Sequence, residues 1–159
     1  MKIQIRHSVF ETNSSSVHSL SVVKTTEYKD FLAGKIWVKE NYSSDKNECD
    51  LLPEDEAIEF NINHLKNDLN LDDEEFIAAY RKLKNFWEAF SSKYAADNGS
   101  VYDDWETFED EYDLRSTYDY YNNWDDFWEK HETVEDYSRD FVTENGEKYT
   151  VWGYYGNDY

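Results

Sequence analysis

From Val101 to Tyr137 the chain reads VYDDWETFEDEYDLRSTYDYYNNWDDFWEKHETVEDY, with aromatic rings and carboxylates interleaved almost throughout. Two demands collide in that stretch. Trp105, Phe108, Trp124, Phe127 and Trp128 need burial, while from Val101 to Asn145 sixteen Asp/Glu stand against three Lys/Arg and need water. Acidic tails that stay disordered are poor in aromatics. Helices with rings turned inward and carboxylates outward meet both demands. The main functional signal is therefore a folded, strongly acidic surface, which points to a partner rather than to a reaction.

Helical spacing supports this reading. Tyr102, Trp105, Phe108 and Tyr112 share one helical side, and Trp124, Phe127, Trp128 and His131 another. Ser100 and Asn123 are N-cap residues for the two helices, and Arg115-Ser116-Thr117 connects them. Upstream, Pro53 followed by Glu54, Asp55 and Glu56 suits a helix start. Ile58, Ile62, Leu65 and Leu69 then form one apolar stripe. Asp72 with Glu75 resembles a capping box, and Phe76, Tyr80, Leu83, Trp87, Phe90 and Tyr94 predict one long helix ending near Asp97-Asn98-Gly99. Thr133 with Asp136 predicts a last short turn.

The two ends of the chain read as strands. Lys2–Arg6 and Val17–Val23 alternate polar and apolar residues around the turn formers Thr12–Ser16, the pattern of a hairpin. A short helix capped by Thr25 or Thr26 and ended by Gly34 leads to a third strand, Lys35–Lys39, and Asn41–Asp50 reads as loop. Phe141–Thr143 and Tyr149–Trp152 flank Asn145-Gly146, a hairpin signal. The expectation is an α+β fold of one domain, 1–159. An antiparallel sheet from the N- and C-terminal hairpins plus one further strand occupies 1–40 and 140–156. A middle section of four to five aromatic-rich acidic helices fills 53–138.

The net charge of −20 and the pI near 4.4 disfavour nucleic acid and anionic membranes as direct partners and favour basic proteins. The charge is segregated. Residues 1–40 hold six Lys/Arg and four Asp/Glu, so the rest of the chain carries −22. A halophilic surface would be acidic everywhere, whereas this chain is acidic over its helical part only. The single cysteine, Cys49, excludes an internal disulfide and fits a reducing cytosol, and no apolar run approaches the ~20 residues of a membrane span. The expected location is cytoplasmic.

The predicted partner-binding residues are Asp103, Asp104, Glu106, Glu109, Asp110, Glu111 and Asp113, with Asp125, Asp126 and Glu129 behind them, continued by Glu132, Glu135 and Asp136. Carboxylates on successive helical turns lie ~5.4 Å apart and phosphates ~3.4 Å per nucleotide, so an acidic helix can occupy a cleft built for a nucleic-acid backbone. The alternative is a solvated helix surface, at the cost of like-charge repulsion at i,i+4. Tyr118, Tyr120 and Tyr121 add candidate hot-spot rings that could stack on a partner's arginines, against partial burial in a loop. Ser14, Ser15 and Ser16 with His18 could pair a nucleophile with a base, but no oxyanion-hole signature or GxSxG elbow accompanies them. Hydroxyl-rich loops more often bond their own backbone. The four histidines are scattered and no metal-ligand spacing occurs, so neither metal nor cofactor is predicted.

Phe10-Glu11-Thr12-Asn13-Ser14-Ser15-Ser16-Val17-His18-Ser19-Leu20 resembles the opening of small phage and prophage proteins of Gram-positive bacteria, which often have Thr in place of Val17. Those proteins tend to close on a segment like Gly153-Tyr154-Tyr155-Gly156. The resemblance covers the two ends and Phe31–Val38, and leaves the acidic middle outside. It implies a phage setting. In composition the chain is similar to phage inhibitors of host defence, among them anti-CRISPR proteins and DNA mimics. The expected function is non-enzymatic inhibition of a basic, nucleic-acid-binding host protein, a Cas effector nuclease first and a restriction enzyme next. The alternatives are an acidic phage structural or regulatory interaction module and, third, a hydrolase-like enzyme at the Ser-rich loop.

Overall fold

The C-terminal strand organises the sheet. Lys148–Asn157 (β6) pairs antiparallel along its whole length with Val134–Val142 (β5), from Val142 opposite Lys148 to Val134 opposite Gly156. Its other edge takes Ser16–His18 (β1) and Ser21–Lys24 (β2), also antiparallel, so the two ends of the chain lie in one sheet. Asn145-Gly146 does form the hairpin, through a five-residue loop with Gly146 at φ +81°. The strand before it is much longer than its apolar end suggests. Val134–Tyr137 extend β5 where the Thr133–Asp136 pair predicts a helical turn.

The computed structural model describes residues 16–18, 21–40, 49–94, 101–116, 118–130 and 134–157. The predicted Lys2–Arg6 strand, most of the turn cluster from Thr12, the stop at Asp97–Gly99, the cap Ser100 and the residues His131 and Thr133 lie outside these.

Lys24, not Thr25 or Thr26, caps the helix Thr25–Leu32 (α1): its backbone N–H donates to Glu27 Oε2 at 3.1 Å. Thr25 is buried instead, 3.1 Å from the Thr150 hydroxyl, which donates to Asp140 Oδ1 at 2.6 Å. Gly34, at φ +70°, ends the helix. Ile36–Glu40 (β3) follows as expected, but it pairs with Cys49–Pro53 (β4) in a separate two-stranded ribbon rather than joining the terminal sheet. The double leucine of β4 supplies the partner that a loop reading of the preceding polar stretch passes over.

Pro53 closes β4 and is the N-cap of Glu54–Asn67 (α2), which buries Ile58, Ile62 and Leu65. The long helix expected next is two. Glu74–Leu83 (α3) is capped by Asp73, whose Oδ1 accepts from the N–H groups of Glu75 and Phe76 at 3.1 Å each. Lys84 turns into the left-handed region at φ 63°, and Phe86–Tyr94 (α4) restarts with Asn85 accepting from Glu88 N–H at 2.9 Å. An asparagine cap inside a regular apolar period outweighs the period.

Two aromatic cores result. One holds Trp37, Ile58, Ile62, Leu65, Phe76, Tyr80 and Phe90; the other holds Val23, Phe31, Val38, Phe127, Trp152 and Tyr154. Adjacent residues of β3 point to opposite faces, so Trp37 enters the first core and Val38 the second, and β3 is the wall between them. Among the described residues, no helix is long and apolar enough to cross a membrane.

Candidate partner-binding surface

The acidic tract folds as helix, clasp, helix. Val101–Glu111 (α5) directs Trp105 and Phe108 against the first core, with Tyr112 one turn further on. Phe108 lies 5.0 Å from Phe76 and 4.9 Å from Phe90, and Trp105 5.3 Å from Trp87. With that side occupied, Asp104, Glu106, Asp110 and Glu111 are left exposed, on a helix that contains no lysine or arginine. Asp103 is on the same helix. Glu109 departs from the set: its side chain is only 15% exposed and accepts from Arg115 Nε at 2.7 Å. That carboxylate anchors the turn after α5. Asp113 is exposed at φ 47°, a conformation that short polar side chains tolerate best.

The tyrosines divide. Tyr118 is 46% exposed, but Tyr120 and Tyr121 are 0% and 6% exposed and belong to the first core. Reading TYDYYNN as three surface rings is thus corrected for two of them. Tyr120 Oη donates to the Tyr112 carbonyl at 2.6 Å. Tyr121 is gripped by the buried side chain of Asn61: its N–H donates to Asn61 Oδ1 at 2.8 Å, and Asn61 Nδ2 lies 2.9 Å from both the Tyr121 carbonyl and Tyr80 Oη. Asn122 then exchanges both backbone bonds with Val38, at 2.9 and 2.7 Å. These contacts stitch the middle of the acidic tract onto β3 and α2. No periodicity announces them, because they are made by an irregular segment.

Trp124–Glu129 (α6) has the expected cap, Asn123 Oδ1 accepting from Asp126 N–H at 2.8 Å. Phe127 enters the second core, flanked by Trp124 and Trp128. Asp125 and Glu129 are exposed, whereas Asp126 is half-buried and accepts from Asn85 Nδ2 at 2.7 Å and Asn123 Nδ2 at 2.9 Å. Burial raises its carboxyl above the usual range, against the opposing Asn85 bond. After the helix, Lys130 donates to Asn122 Oδ1 at 2.7 Å. Burial pulls its ammonium down to about 8, opposed by the fields of Asp126, Glu109, Glu129 and Asp113. One ammonium thus senses carboxylates from both acidic helices.

Glu135 and Asp136 are exposed on strand β5, not on a helix, and Glu132 falls outside the described residues. Ser14 and Ser15 also fall outside, while Ser16 and His18 contribute backbone to β1. Among the described residues, no three His, Cys, Asp or Glu side chains converge to hold a metal ion. No family model, curated protein or solved structure matches the chain.

Proposed function

We propose that the protein is a phage-encoded inhibitor that binds a basic, nucleic-acid-handling host protein by presenting carboxylates where that protein expects phosphates. A Cas effector nuclease is the leading target and a restriction enzyme the next. One observation carries the reading. α5 turns Trp105 and Phe108 to the core and leaves Asp104, Glu106, Asp110 and Glu111 in solvent without a basic residue on the helix. Like charges at this density cost helix stability, a few tenths of a kcal/mol per close pair, and contribute nothing to packing. Clefts that bind nucleic acid are lined with Lys and Arg, to which such a helix is complementary.

The test is a variant with Asp104→Asn, Glu106→Gln, Asp110→Asn and Glu111→Gln. It spares Glu109, whose carboxylate holds Arg115. The variant should melt at the wild-type temperature or slightly above, since repulsion is removed. It should lose binding to the purified nuclease and no longer compete with that enzyme's DNA or RNA. Wild-type binding should weaken steeply with salt. A folded variant that binds with unchanged affinity and salt dependence sinks the proposal.

A further inference from the structure

An open cleft of about 480 Å³ runs between the end of α1, the start of α2, the α3–α4 junction and α6. Its walls are of two kinds. Leu32, which is 44% exposed, Leu83 and the half-buried Trp124 supply apolar surface, over a floor formed by Trp37, whose indole N–H is taken up by the Gly34 carbonyl at 3.2 Å. Five carboxylates face the same space: Glu54, Glu88, Asp125, Asp126 and Glu129. Among the described residues the one cation lining it, Lys84, is engaged with Glu54 at 2.7 Å. Asp126 is held by Asn85 and Asn123. Glu88, Asp125 and Glu129 are exposed around the apolar slot and take part in no ion pair among the described residues.

We infer that this cleft receives an arginine side chain from the basic partner. The inference rests on the reading of the protein as a binder of such a partner and adds the site at which one residue of it docks. The chemistry of the walls selects the occupant. A basic side chain buries its methylene stem on apolar surface and keeps its head among charges, which suits Leu32 and Leu83 below and carboxylates at the rim. Between the two basic residues, the guanidinium is favoured. It is planar, stacks on an indole face, binds carboxylates in a two-pronged fashion and sheds water more readily than an ammonium. Trp124, Asp125 and Glu129 line the cleft together from one short helix, α6. An anionic or uncharged group would meet an uncompensated negative field there.

The isolated, 15N-labelled protein tests this without any host enzyme. The probe is the capped tripeptide acetyl-Gly-Arg-Gly-amide, with its lysine and citrulline counterparts and magnesium chloride as comparisons. The arginine peptide should produce saturable shifts at the amides of Gly34, Asn85 and Asp125 and at the Trp124 indole. The citrulline peptide should produce none, and the lysine peptide should bind at least threefold more weakly. Asp125→Asn combined with Glu129→Gln, two exposed positions, should weaken the arginine peptide at least fivefold while the spectrum stays folded. Shifts that never saturate and spread equally over α5 overturn the inference. So does equal response to citrulline or lysine, or the same shifts from magnesium alone. Should the peptide fail here while neutralising α5 still abolishes nuclease binding, only the cleft assignment falls. Should the peptide bind while no nuclease is engaged, the inhibitor reading falls instead.

Discussion

Asn61 joins three parts of the chain through one buried side chain. It is fully buried on α2 and satisfies the N–H and carbonyl of Tyr121 and the hydroxyl of Tyr80 at once. Replacing it with alanine orphans these groups in a dry core, at about 1–3 kcal/mol for each group left without a partner. We expect Asn61→Ala to lower stability by about 3 kcal/mol, measured by chemical denaturation. Asn61→Asp should be no rescue, since a carboxylate has no N–H to give. A loss below about 1 kcal/mol would show that water replaces the clasp. Lys130 makes a second prediction, in pH. Burial brings its ammonium from an ordinary 10.5 to about 8. The unfolded chain therefore holds more protons than the folded one between those values, and stability should rise with pH across that window. From pH 7.5 to 9.5 the gain is about 1–2 kcal/mol by this linkage, and it should vanish in Lys130→Met. Above pH 10 the sign reverses. Burial pushes the Tyr121 phenol up to about 12 and raises those of Tyr80 and Tyr120, so the unfolded chain loses protons first and stability should fall.

Among the elements, the α3–α4 junction shows how a cap overrides an apolar period. Lys84 adopts φ 63°, and Asn85 serves both sides: its Oδ1 caps α4 through Glu88 N–H, and its Nδ2 reaches Asp126 on α6. Asn85→Ala removes a helix cap, typically ~1 kcal/mol, and also strips Asp126, still held by Asn123 Nδ2, of one of its two amide donors. We expect a total loss of about 2 kcal/mol in thermal or denaturant unfolding, larger at pH 7 than at pH 4. At the lower pH Asp126, already raised by burial, approaches its neutral form and depends less on that donor. A loss independent of pH would mean that the Asp126 contact contributes nothing. In the acidic tract, likewise, the segment between the two helices is fixed not by ring spacing but by the backbone bonds of Asn122 to β3.

For the whole molecule, β6 is the element that closes the fold. It pairs with β1, β2 and β5 and sends Trp152 and Tyr154 into the second core, where Trp152 meets Phe31 at 5.4 Å and Phe127 at 5.6 Å. Deleting residues 143–159 removes that strand, leaves β5 without its partner and opens the core. The truncated chain should show no cooperative thermal transition; retention of one would mean that the helical part folds alone. Trp152→Ala, a milder lesion, should cost about 3–5 kcal/mol.

The sequence by itself determined what local pattern can specify. The inward stripe of Trp105 and Phe108 with carboxylates outside it, the Asn123 cap, the stop at Gly34 and the Asn145-Gly146 hairpin follow from spacing and from backbone preferences that hold in any context. The α+β order and the pairing of the two ends follow from the alternation of those segments. What only the tertiary structure decided is which polar and aromatic groups change sides. Tyr120 and Tyr121 look exposed because two neighbours cannot share a helical face. Both are buried: Asn61, sixty residues away from Tyr121, satisfies the N–H and carbonyl of Tyr121, and the Tyr112 carbonyl takes the Tyr120 hydroxyl. Glu109 reads as one more surface carboxylate until Arg115 folds back on it, and Glu54 and Glu88 join the α6 carboxylates only across a cleft whose walls come from several separate elements. Long-range hydrogen bonds and charge pairs leave no period in the chain, because their energy depends on where distant residues meet and not on how neighbours are spaced.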